Sequence, residues 1–68
     1  MTEEEQQRAL GQPRQVRVEV TDGVYHGVPG WVVGEYLRWG RISEAVVEVD
    51  DDRYWEINIP WADLKLAE

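Results

Sequence analysis

The 68-residue chain has no cysteine, which excludes disulfide bridges and thiolate metal sites. It has no phenylalanine, and Lys65 is its only lysine beside six arginines. This Arg-for-Lys bias fits a GC-rich genome, including a phage or plasmid borne by such a host, and together with the excess of acid it also fits a salt-adapted host. No apolar run approaches the roughly 18 residues of a membrane span, and the first residues are acids rather than Lys or Arg. Neither a signal peptide nor a transmembrane helix is therefore expected, and the expected location is cytoplasmic. Histidine and serine occur once each, as His26 and Ser43. Fourteen acidic residues stand against seven basic ones, for a formal net charge of −7. Such a field repels phosphate backbones and disfavours non-specific nucleic-acid binding. A chain this short makes one domain and buries only about 60% of its unfolded surface, which leaves little room for an enclosed active site.

What the sequence does contain is punctuated alternation. Residues 1–15 form a polar arm in which Thr2 and Glu5 have the spacing of a capping box, so a short helix over Glu3–Leu10 is possible before Gly11 and Pro13 stop it. From Val16 the period changes to two. Val16, Val18 and Val20 alternate with Arg17, Glu19 and Thr21, and Asp22-Gly23 supplies a turn. Trp31–Leu37 reads as a second strand with Val32, Gly34 and Tyr36 on one face. Gly34 suggests a bulge there. Trp39–Ser43 reads as a loop around Gly40, and Ala45–Asp50 as a third strand. After the acidic turn at Asp50–Arg53, Trp55, Ile57 and Ile59 alternate with Tyr54, Glu56 and Asn58 in a fourth strand that Pro60 ends. Trp61-Ala62-Asp63 reads as one helical turn before a short closing strand over Leu64–Ala67.

Five short strands within about 55 residues indicate an all-β meander over 16–68, expected to close into a small barrel that removes its edges. The run Gly27-Val28-Pro29-Gly30-Trp31-Val32-Val33 resembles the core signature of bacterial and KOW-type SH3-like barrels. Ile59-Pro60-Trp61-Ala62-Asp63-Leu64 is similar to the strand, proline, 3-10 turn and final strand that close such barrels. The resemblance covers 16–67 and implies a five-stranded SH3-like barrel. It departs from its relatives in two respects. The Ala-Leu-Tyr-Asp-Tyr motif of peptide-binding SH3 domains is absent, and so is the basic surface of ribosomal KOW proteins. The expected core is Val18, Val32, Val47, Val49, Ile57, Ile59 and Leu64, with Trp55 and Tyr36 the aromatic rings best phased to join it.

Catalysis is not expected. His26 lies in a glycine-flanked loop with no nucleophile or second base beside it in sequence. Asp50–Asp52 lacks the alternate spacing and distal Glu of a calcium loop, so neither metal nor cofactor is expected. The remaining chemistry lies in aromatics and charge. Tyr25, His26, Trp39, Arg41 and Trp61 fall on loops or the final turn, at positions where the resemblance implies ligand contact, and Trp, Tyr and Arg dominate interface energetics. Glu48, Asp50 and Glu56, together with Glu19 and Asp51-Asp52, form an acidic column, with Glu19, Glu48 and Glu56 facing outward. The resulting expectation is a non-catalytic protein-binding module, an accessory subunit or regulator that docks one larger protein or complex as a monomer or small homo-oligomer. In a sharper form, the acidic column mimics nucleic acid and inhibits the partner. Two alternatives are a KOW-type nucleic-acid-binding barrel, which needs Arg14, Arg17, Arg38, Arg41 and Arg53 on one face, and a structural homo-oligomer.

Overall fold

A computed structural model describes residues 1–50 and 56–67. The expectations for Asp51, Asp52, Arg53, Tyr54 and Trp55 lie outside the described residues. The chain runs through helix α1 (Glu3–Gly11), strands β1 (Arg17–Val20), β2 (Pro29–Arg38), β3 (Ile42–Val49) and β4 (Glu56–Pro60), a 3-10 turn (Trp61–Asp63), and β5 (Leu64–Leu66). The strands make one antiparallel sheet in the order β4-β3-β2-β1-β5. The sheet is not closed. Among the described residues no ladder joins β4 to β5, so the edges that a barrel would have removed remain. Pro60 helps to explain the interruption: it ends β4 without an N–H to donate, and the 3-10 turn then carries the chain across to β1, where β5 pairs.

The core lies on one face of the sheet. Val18, Val20, Val32, Val47 and Val49 are fully buried, with Ala45, Ile59 and Leu64 beside them. Ile57, expected in this set, is half-buried against it. Gly30 is buried among these valines because nothing larger fits. A methyl carbon there would stand 2.7 Å from Val47 Cγ1 and 2.9 Å from the Glu48 carbonyl. Helix α1 closes over the sheet and is more than an arm. Thr2 and Glu5 form the reciprocal capping box, with Thr2 N–H donating to Glu5 Oε1 at 2.8 Å and Glu5 N–H to Thr2 Oγ1 at 3.1 Å. The bond from the Thr2 backbone N–H is the main reason the Glu5 carboxyl is held below its ordinary value. Ala9 is then wholly buried, and Leu10 and Met1 pack on the core. Eight or nine residues are marginal as an isolated helix, so it is this docking that holds α1 in place.

The long hairpin of β2 and β3 departs most from expectation. Both strands extend further than the alternation suggested, β2 beginning at Pro29 and β3 at Ile42. The expected loop over 39–43 contracts to three residues. The bulge anticipated near Gly34 is present: Val32 pairs with Val47 but Gly34 with Val46, leaving Val33 as the extra residue. Directly opposed residues share a face. Val32, Val47 and Ile57 line the core, and beyond the bulge the inner row continues as Glu35, Ala45 and Ile59. The bulge thereby advances the phase by one residue and turns Tyr36 to the outer face, opposite Glu44. This corrects its assignment to the core; the ring is half exposed.

Candidate protein-docking site

The β2–β3 hairpin projects beyond its neighbours. β1 pairs with β2 only over Pro29–Trp31, and β4 pairs with β3 only from Glu44 onward. Residues 37–43 therefore pair solely with one another. An isolated two-stranded ribbon is marginal in water, and here each face of its base is anchored. On the inner face, Trp61 Nε1 donates to Ser43 Oγ at 2.9 Å, and Ser43 Oγ donates to Glu35 Oε2 at 2.6 Å. On the outer face the Arg38 guanidinium donates to Glu44 Oε1 at 2.9 Å. That carboxylate is nearly buried, and the bond raises the Arg38 pKa further.

The turn at the tip runs Arg38-Trp39-Gly40-Arg41, with Arg41 N–H donating to the Arg38 carbonyl at 3.2 Å. Its two central residues have positive φ, 55° at Trp39 and 73° at Gly40, as the tight turn of a twisted hairpin requires. Glycine adopts that backbone readily, whereas for a bulky side chain it is an outlier that costs about 1–2 kcal/mol. Trp39 is nevertheless 76% exposed. Tyr36, Leu37 and Ile42, each about half exposed, surround it. Arg41 is exposed and, unlike Arg38, has no ion-pair partner among the described residues.

The other expected site residues do not join this tip. Tyr25 and His26 belong to the β1–β2 loop, at the opposite end of β2 from Trp39. His26 is exposed, and Tyr25 is half-buried against the core. Trp61 is 6% exposed and belongs to the core, because the 3-10 turn folds its ring back toward Ser43. The outward acids largely meet cations. Glu48 pairs with Arg14, Asp50 with Arg17, and Glu19 with Lys65 at 3.4 Å. Arg17 also stacks 4.7 Å from the centre of the Trp31 ring. Its hydrogen bond holds the Asp50 carboxyl below the ordinary carboxylate value. Glu56, directly opposite Glu48, has no cation partner among the described residues. Nor do the described arginines of that set cluster, since Arg14 and Arg17 lie at or just before the start of β1, ion-paired with Glu48 and Asp50, while Arg38 and Arg41 stand at the far tip of the hairpin.

A second feature lies beside edge strand β4. Val20, Val24, Tyr25, Ile57, Ile59 and Pro60 form an apolar groove of about 240 Å³, with Asp22 and Asp63 among its lining residues. Neither Trp39 nor Arg41 lines it. Leu37, Ile42 and Val24 were not singled out in the sequence. The signal available for the first two was Gly40 between two short alternating runs, which marks a hairpin turn and so places its neighbours at a tip. Among the described residues no three His, Asp or Glu side chains converge as a metal site, and no helix is long and apolar enough to cross a membrane. No family model matches the chain, and no curated protein or solved structure matches it.

Proposed function

We propose that this chain is a non-catalytic protein-binding module that docks a larger protein through the tip of its β2–β3 hairpin, as an accessory subunit or regulator. The observation that carries this reading is Trp39, a large aromatic held exposed on a backbone conformation that disfavours it. A strained residue persists where surrounding structure over-determines it, and such residues cluster at functional positions. Tryptophan is the side chain that contributes most when an interface buries it. The two anchors at the hairpin base present it on a framework that is already ordered, which reduces the entropic cost of association. The strand order and the 3-10 turn before β5 support kinship with SH3-like barrels, here with an open seam. The aromatic tip is favoured over nucleic-acid mimicry because Glu19, Glu48 and Asp50 are already ion-paired. It is favoured over KOW-type binding because the arginines are dispersed. Affinity capture from the native host with wild-type and Trp39→Ala baits, followed by a binding titration of the isolated partner, tests the proposal. The variant should bind at least about tenfold more weakly, or 1.4 kcal/mol. A folded Trp39→Ala with undiminished affinity would refute it.

A further inference from the structure

The chain carries both an exposed aromatic tip and an apolar groove, and the two are complementary. The groove beside β4, about 240 Å³, is smaller than the roughly 300–1,000 Å³ typical of small-molecule sites and suits one large side chain. Its walls are mainly apolar, with Asn58 the polar neutral side chain among them, and its two charged residues, Asp22 and Asp63, are both acidic. The tip offers the converse, an apolar anchor in Trp39 beside the exposed cation Arg41. The two most exposed large hydrophobics of the described chain are Val24, 95% exposed, and Trp39, 76% exposed. One lines the groove and the other crowns the tip, so a single contact covers both. Within one chain they sit on different features and do not meet.

We infer that the groove accepts the hairpin tip of a second copy of this chain, with Trp39 of one copy seated against Val20, Val24, Tyr25 and Ile59 of the other. Arg41 then faces Asp22 and Asp63. This inference rests on the reading of the tip as a docking element and names one occupant for the groove. If each copy both gives a tip and receives one, the pair closes as a two-fold dimer; otherwise contacts propagate from copy to copy. In either case self-association occupies the surface that a partner would use, so the two compete.

Sedimentation velocity of the full chain from micromolar to near-millimolar concentration reads the association directly. Wild-type protein should associate. Trp39→Ala should raise the concentration needed by at least about tenfold, equivalent to 1.4 kcal/mol. Asp22→Asn/Asp63→Asn, which leaves the tip intact, should weaken association severalfold, and added salt should narrow its difference from wild type. Circular dichroism confirms that each variant is folded, and Asp22→Asn and Asp63→Asn taken singly replace the double variant if it is not. A wild type that stays monomeric throughout would overturn the inference, as would either variant associating like wild type. The failure modes separate: a monomeric wild type whose Trp39→Ala variant still loses the host partner sinks the groove and spares the docking tip. Retained partner binding by Trp39→Ala sinks the docking tip.

Discussion

Two tryptophans of this chain should respond to substitution in opposite ways. Trp39 is 76% exposed, so about a quarter of its surface is covered. For a side chain that buries at most about 250 Å² this is about 60 Å², or about 1.5 kcal/mol as an upper bound at ~25 cal/mol per Å². Against that loss, Trp39→Asn places Asn-Gly in a turn whose φ is positive at both positions, the pairing such hairpins prefer. Relief of the left-handed cost returns about 1–2 kcal/mol. The two effects nearly cancel, and the stability of Trp39→Asn should stay within about 1 kcal/mol of wild type. In a domain this size that corresponds to a shift in Tm of no more than about 8 °C. Trp61 is 6% exposed and donates its indole N–H to Ser43. Trp61→Ala should cost about 3–5 kcal/mol, comparable with the whole net stability of so small a core. Urea titrations of both variants, with partner affinity measured on Trp39→Asn, check this. Trp39→Asn should lose at least about tenfold in affinity (1.4 kcal/mol) while remaining folded. A Trp39→Asn variant destabilised by about 2 kcal/mol or more, outside the cancellation argued above, would show that the ring supports the hairpin and would refute the reasoning.

Gly30→Ala should destabilise by about 1–3 kcal/mol through overpacking, since the added carbon meets Val47 Cγ1 at 2.7 Å and the Glu48 carbonyl at 2.9 Å. Combined with Val47→Ala the loss should be less than additive, because one of the two obstacles is gone, and a strictly additive double variant in urea denaturation would contradict that packing. The Asp50 carboxyl titrates below its ordinary value because Arg17 donates to it. Its contribution to stability is therefore present above the unfolded-state pKa and disappears as pH falls through the lowered folded value. In Arg17→Gln an NMR titration should show Asp50 returning upward toward the ordinary carboxylate range. Partner affinity carried by an aromatic tip should change little between low and moderate salt, where the Debye length shortens to about 8 Å; a steep fall would favour the acidic-mimic reading.

Much of the sheet was legible because alternation is a direct consequence of strand geometry. Val18, Val32, Val47, Val49, Ile59 and Leu64 are buried as their period of two requires. The capping box at Thr2 and Glu5 could be read locally, since all its partners lie within one turn. What could not be read was anything that depends on contacts distant in sequence. The burial of Ala9 requires knowing that α1 lies over the sheet, and that of Trp61 requires knowing that the 3-10 turn folds beneath β3 toward Ser43. The pairing of Glu48 with Arg14 and of Asp50 with Arg17 joins residues more than thirty positions apart. An acidic column counted along the sequence thus overstated the bare charge the surface presents.

The bulge shows how a correct local reading can still misplace a side chain, and it also explains why the hairpin tip stands apart from the core. Gly34 marked the irregularity, but a bulge adds one residue to one strand, and with a period of two that single residue exchanges the faces of everything beyond it. Had the register continued unbroken, Tyr36 would have followed Val32 and Gly34 on the inner row. Instead the inner row beyond the bulge carries Glu35 and Ser43, polar groups that bind each other and the Trp61 indole. The outer row carries Tyr36, Arg38 and Glu44. Core packing thus gives way to hydrogen bonds and an ion pair as the forces that hold the hairpin. Those forces stop at its base, and the turn beyond them has Trp39 where Asn or Gly would suit the backbone better. Everywhere else along this hairpin, local preference and tertiary contact agree. Arg14 is the other described non-glycine residue with positive φ, at 62°, but of the two only Trp39 places an exposed aromatic ring at the end of an anchored ribbon, which is the ground for proposing the docking surface there.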